Sequence, residues 1–323
     1  MTNSIETYQK FIGKAIEALN LPSTPANLYE PIRYFLNLGG KKMRPVLTLM
    51  GCELFNPDYS NAKDAALAVE LFHNFSLIHD DIMDEAPLRR GHETVHQKWN
   101  SNVGILSGDA LLIVAYQKIA TYKSELIGEL LPLFNQTALQ VCEGQQYDMD
   151  FESRDNVSIT EYIEMIKFKT AVLLGCSLQM GAIIGGANKT DAKELYNFGV
   201  NLGLAFQLQD DILDVYADKN KFGKQVGGDI ISNKKTFLLL KAFEDANTNQ
   251  LKTLNNLFSE TDNTTKVNGV KTIYSELNIK EKAEHKMNEF YTIALNNLDA
   301  IQISDSKKKP LLNLAYFLMG REN

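Results

Sequence analysis

Glycine and proline are scarce, at 20 and 8 in 323 residues, roughly 9% where average usage is about 12%. A turn-rich β-sandwich is excluded by that shortage, which points to helices. Cysteine is scarcer. Cys52, Cys142 and Cys176 form no CxxC pair and leave an odd thiol over. That excludes a CxxC metal or redox motif and predicts three buried thiols in a reducing compartment. An excess of positive charge is also missing. The net charge of −7 argues against nucleic acid as main partner, although a local basic patch can still hold phosphate. The first residues, MTNSIETYQKF, lack a basic n-region and an apolar h-region, so no secretory signal is read and a cytoplasmic location is expected. No apolar run reaches the roughly 20 residues of a membrane span. The longest, residues 171–187, carries Ser177 and Gln179 near its middle. It reads as a core helix, with Gly181 and Gly185 at close helix contacts, and no membrane span is expected.

What is present is helical periodicity. Leu67, Glu70, Leu71, Asn74 and Phe75 already show i, i+3, i+4 spacing. The composition, 44% apolar and 23% charged, is that of a folded chain. No Gly/Ser linker or Pro-rich stretch divides it, and residues 1–323 are read as one all-α domain. Residues 244–266 are the most polar stretch and read as a join between peripheral helices, with Leu251, Leu254 and Phe258 marking one short helix.

One internal echo carries chemistry. Residues 80–84 read Asp-Asp-Ile-Met-Asp and residues 210–214 read Asp-Asp-Ile-Leu-Asp, each after an apolar helical run. On a helix, i and i+4 share a face, so Asp80 pairs with Asp84 and Asp210 with Asp214, flanked by Asp81 and Asp211. Carboxylates crowded on buried helices need compensation. Hard oxygen ligands without clustered Cys or His point to Mg²⁺ or Mn²⁺. Mg²⁺ joins few carboxylates to substrate phosphates, so two facing clusters are expected to grip a diphosphate.

Cations stand where phosphate needs them. Arg89 and Arg90 follow the first cluster after Pro87; Lys224, Lys234 and Lys235 follow the second in a Gly-containing stretch. Gly39-Gly40-Lys41-Lys42-Met43-Arg44-Pro45 groups backbone amides with cations but lacks P-loop spacing.

DDIMDEAPLRRG, with GGKKMRP upstream and FQLQDDILD downstream, resembles the trans-isoprenyl diphosphate synthase (polyprenyl synthetase) family, over roughly residues 30–320. The resemblance implies a bundle of many helices around a central apolar cavity, acting as a homodimer. It implies Mg²⁺, three ions with substrate bound, held by Asp80, Asp81 and Asp84 and by Asp210, Asp211 and Asp214. It assigns Lys41, Arg44, His73 and Arg90 to isopentenyl diphosphate and Arg89 to the allylic diphosphate. Lys169, Thr170 and Gln207 match the family's KT pair and its glutamine, and Lys224 and Lys234 its later phosphate-binding lysines. Asn233 departs from the glycine of many members.

The resemblance also implies that the growing tail runs beside the helix of the first motif. Phe75 is then the expected chain-length floor and Phe72 a deeper one, which fits a farnesyl or geranylgeranyl product. Three other readings compete with this one. A class I terpene cyclase usually replaces the second aspartate motif. A non-catalytic partner subunit is expected to have lost aspartates, and here all six are present. A di-iron bundle would use Glu70-Leu71-Phe72-His73 and Glu93-Thr94-Val95-His96, leaving both aspartate triplets idle.

Overall fold

The computed structural model describes residues 2–217 and 227–320. Among these residues the chain is α-helical nearly throughout, as the composition predicts. The strands described are two short pieces, Leu88–Arg89 and His92–Glu93, paired antiparallel. Contacts group the chain into two compact units. The first holds residues 1–138, 176–196 and 302–310, the second residues 139–175, 197–301 and 311–323. The divisions fall inside helices such as Ser124–Ser153 and Lys189–Tyr216, so there was no linker composition to read.

In the first unit the helix Lys63–Met83 is the centre. It runs 21 residues without Gly or Pro, with Asp64 in its first turn, where the helix dipole favours an acid. Leu67, Leu71, Phe75 and Ile78 bury one side of it. The helix Ser101–Ile119 packs on it, capped by the Asn100 side chain on the Val103 amide. Two glycines let the helices approach. A methyl at Gly104 would lie 2.8 Å from Ile82 Cδ1, and one at Gly108 would overlap the His79 ring. Gly181 and Gly185 do sit at close helix contacts: a Cβ at Gly181 would overlap the Thr48 carbonyl oxygen, and one at Gly185 would lie 2.6 Å from that of Cys52.

The second unit mixes the 22-residue helix Ile279–Ala300 with shorter ones. Ser158 and Glu161 close one as a capping box, and Asn247 and Gln250 close Thr248–Phe258, the short helix read within the polar stretch. The helix Asn263–Glu276 packs against Thr248–Phe258, Gly228–Ile231 and Ile279–Ala300.

Two expectations change. Cys52 and Cys176 are buried, but Cys142 is exposed on the helix Ser124–Ser153; one cysteine on a long amphipathic helix carries no periodic signal of its own. The apolar run also extends upstream. The helical stretch Ile159–Gly185, 27 residues, is long and apolar enough to cross a membrane, and over half of its apolar window is buried within the protein.

Gly181→Ala is expected to lower unfolding stability by about 3 kcal/mol, because its methyl meets backbone rather than a movable side chain. Urea denaturation measures this, and an unchanged midpoint would remove the contact argument.

Candidate active site

In the first unit, Asp80 is half-buried and Asp84 exposed at the end of the helix Lys63–Met83, while Asp81 turns inward and is 1% exposed. The chain then reverses through Arg90 and Gly91, both at positive φ (54° and 79°), as a two-residue primed hairpin turn requires. The hairpin brings Arg89 back beside Asp81. Its Nε and Nη2 donate to Asp81 Oδ1 at 2.7 and 2.6 Å. Burial pushes the Asp81 carboxyl up, and the Arg89 bond and charge oppose that.

The hairpin also delivers Arg90, whose guanidinium donates to the Gly39 carbonyl and lies 2.8 Å from where a Gly40 Cβ would stand. Gly40, at φ 130°, is thus bare for two reasons. Arg44 follows on the helix Met43–Glu53, and its Nη1 stands 3.0 Å from His73 Nε2. Burial, then the charges of Arg44, Arg90 and Arg89, push His73 well below its usual range. The ring is therefore neutral and accepts from Arg44 through Nε2. Burial lowers Arg44 to about 10, still a cation at neutral pH. Glu70, 5% exposed, is the buried acid facing these charges. Lys41 is exposed next to them in the chain. Arg44, His73, Arg90 and the Gly39-Gly40 turn, separate in sequence, are brought together.

Below the acids on the same helix, the Phe72 and Phe75 rings lie 5.6 Å apart. Phe72 also meets Phe134 edge-on at 5.4 Å, and Phe75 meets His79 at 4.7 Å. Both phenylalanines belong to a packed aromatic row.

In the second unit, Lys169 and Thr170 occupy a π-helical turn, Lys167–Ala171, the kind of local insertion that re-aims side chains and recurs at functional sites. Gly144 makes room for it: a Cβ there would overlap the Lys169 amide nitrogen. The Lys169 ammonium pairs with Asp148. Asp210 is half-buried on the helix Lys189–Tyr216, and Asp211 is 5% exposed. The Tyr162 hydroxyl donates to Asp211 Oδ2, and Gln207 Nε2 stands 3.5 Å from Oδ1. Burial, only partly countered by Tyr162, pushes Asp211 up to about 7. Asp214 is tied to backbone, its Oδ2 accepting the Asp229 amide at 3.0 Å. Lys234 is exposed, Lys235 donates to the Phe151 carbonyl at 2.5 Å, and Asn233 sits at φ 55°, a conformation that asparagine and glycine both adopt. Lys224 lies outside the described residues.

Among the described residues no three acidic, His or Cys side chains gather as a ready-made metal cage. The donors that are present fit Mg²⁺ nonetheless. They are hard carboxylate oxygens, and Asp81 Oδ2 is buried with no hydrogen-bond partner. Such an ion takes its remaining ligands from water and phosphate. The di-iron reading fails on geometry: Glu93 is in a strand and His96 on the helix Val95–Lys98, so they share no helix face.

The sequence missed Tyr162, Asp148 as the partner of Lys169, and Glu70 as the buried counter-charge. A tyrosine seven residues before Lys169 carries no periodic signal by itself.

Residues 25–277 match the family described as polyprenyl synthetase. The geranylgeranyl pyrophosphate synthase of Geoglobus acetivorans is 36% identical over 99% of this chain and 98% of its own length. A short chain isoprenyl diphosphate synthase of Methanothermobacter thermautotrophicus is 36% identical over the same shares. A crystal structure of a geranylgeranyl pyrophosphate synthase is 44% identical, superposes with a TM-score of 0.93 and covers 99% of both chains.

Asp211, raised to about 7, holds its proton in the folded state over a range where the unfolded chain has released it. In magnesium-free buffer its contribution to stability therefore falls as pH rises from about 4 to 7. Thermal denaturation across that range is expected to show the fall and Asp211→Asn to flatten it; identical profiles would refute the assignment.

Proposed function

The chain belongs to the polyprenyl synthetase family and is a prenyltransferase; from that premise we propose that it condenses isopentenyl diphosphate head to tail with dimethylallyl, geranyl or farnesyl diphosphate, releasing diphosphate. The product is geranylgeranyl or farnesyl diphosphate, in keeping with the relatives named above. The observation that carries this reading is the convergence of Arg44, Arg90, neutral His73 and the Gly39-Gly40 turn, in the unit that also carries Asp80 and Asp84.

Asp80, Asp81 and Asp84 in the first unit and Asp210, Asp211 and Asp214 in the second would hold Mg²⁺. Arg89, Tyr162 and the Asp229 amide orient Asp81, Asp211 and Asp214. Three ions with substrate bound, or Mn²⁺ in their place, match this donor set. Bound Mg²⁺ neutralises charge on a departing diphosphate. The chain's own residues do the rest. Arg89, Lys169, Lys224 and Lys234 bind diphosphate oxygens of the allylic substrate, while Lys41, Arg44 and Arg90 bind those of isopentenyl diphosphate. His73 contacts isopentenyl diphosphate as well and keeps Arg44 aimed. Thr170 and Gln207 turn oxygens toward the allylic cation. The alkene attacks, and the proton leaves to the released diphosphate, since no side chain stands out as a base.

The functional unit is the whole chain as one catalytic domain, paired as a homodimer. The support for pairing is an apolar face left outward on the helix Ser101–Ile119, where Ile105, Leu106 and Ile113 are 42%, 61% and 57% exposed. The cytoplasm suits a chain whose three cysteines remain thiols.

Asp80→Ala and Asp210→Ala are each expected to cut prenyl transfer by about a thousandfold; near-wild-type rates in both would remove the proposal. Phe75→Ala should lengthen the main product, read by mass spectrometry, and an unchanged product counts against the floor. Light scattering should give about twice the chain mass of 36.3 kDa, and a monomer would refute the pairing.

A further inference from the structure

The helix Asn263–Glu276 carries two lysines that the reaction leaves unused. Lys266 is 5% exposed, and its ammonium donates to the carbonyls of Ile231 at 3.0 Å and Phe258 at 3.4 Å. One turn and a half along, Lys271 donates to the Val215 carbonyl at 2.9 Å. All three acceptors stand at helix ends: Ile231 closes Gly228–Ile231, Phe258 closes Thr248–Phe258, and Val215 lies in the last turn of the helix bearing the second acidic cluster. Carbonyls there lack intrahelical donors and carry partial negative charge, so a cation is their natural partner.

What Lys266 holds is the turn over residues 227–236. Within it the Lys234 amide donates to the Asp229 carbonyl at 2.8 Å, and the Asp229 amide to Asp214 Oδ2. Asn233, the residue before Lys234, donates from Nδ2 to the same Phe258 carbonyl at 3.3 Å. Lys266 therefore grips both the helix that opens the turn and the acceptor that anchors its apex.

We propose that Lys266 is a positioning residue for the prenyl-transfer reaction, fixing the 227–236 turn so that Lys234 meets substrate diphosphate. This rests on the role given to Lys234 above. Lys266→Met keeps the buried stem and removes the donors, which strands the Ile231 carbonyl, leaves the Phe258 carbonyl to Asn233 alone and loosens the turn.

The test uses the full chain, with steady-state kinetics in which each diphosphate substrate is varied separately, for Lys234→Ala, Lys266→Met, Lys266→Arg and the Lys234→Ala/Lys266→Met double variant. Lys266→Met is expected to raise KM about tenfold for the substrate that Lys234→Ala affects, with kcat within about threefold. The double variant should be no worse than Lys234→Ala alone, because both changes act through one contact. Lys266→Arg should recover the wild-type KM. If Lys266→Met does not fold, Lys266→Gln is expected to raise the same KM about threefold. An unchanged KM in the Lys266 variants, or a double variant whose KM is the product of the two single effects, overturns the proposal while the role of Lys234 stands. Should Lys234→Ala itself leave both KM values unchanged, that role fails, and the proposal fails with it.

Discussion

A carboxylate carried indoors on a helix must meet a donor or a cation, because the charged form loses its hydration there. The candidate site is arranged around that requirement. Asp81 meets Arg89, Asp211 meets Tyr162, and Asp214 meets the Asp229 amide. In each five-residue motif the inward acid meets a donor from another element. The partners come from elements that exist for this purpose: a hairpin turning on two positive φ angles returns Arg89, and a helix capped by Ser158 presents Tyr162.

The cationic pocket obeys the converse rule. Arg44, Arg90 and Lys42 would repel one another, and burial alone would weaken the two arginines. A neutral His73 takes one guanidinium N–H, the Gly39 carbonyl takes another, and Glu70 lies within electrostatic reach of all three cations. These contacts hold the pocket's guanidinium groups in place.

Much of this could be read from the sequence. The i, i+4 aspartates follow from helical periodicity, the cations from their place in the chain after each cluster, the two contact glycines from their place in an apolar helical run, and the resemblance supplied His73, Lys169 and Gln207. Periodicity fails where a residue acts across elements. Tyr162 looks like any aromatic on an amphipathic helix until Asp211 is placed against it. The π turn at Lys167–Ala171 leaves no mark in composition, since its cause is the space opposite Gly144. The exposure of Cys142 is hidden in the sequence for the same reason: a single thiol does not say which side of its helix faces out. Lys266 looks like surface charge, because a lysine satisfied by helix-end carbonyls needs no acidic neighbour to betray it.

The bare spot at Gly108 seats the His79 imidazole, one residue before Asp80. The pair is a lock of size rather than of charge. A lineage that shrank His79 would free position 108 to grow, whereas growth at 108 alone would push on the helix that bears the first acids. Positions 79 and 108 should therefore covary by volume among descendants of this chain.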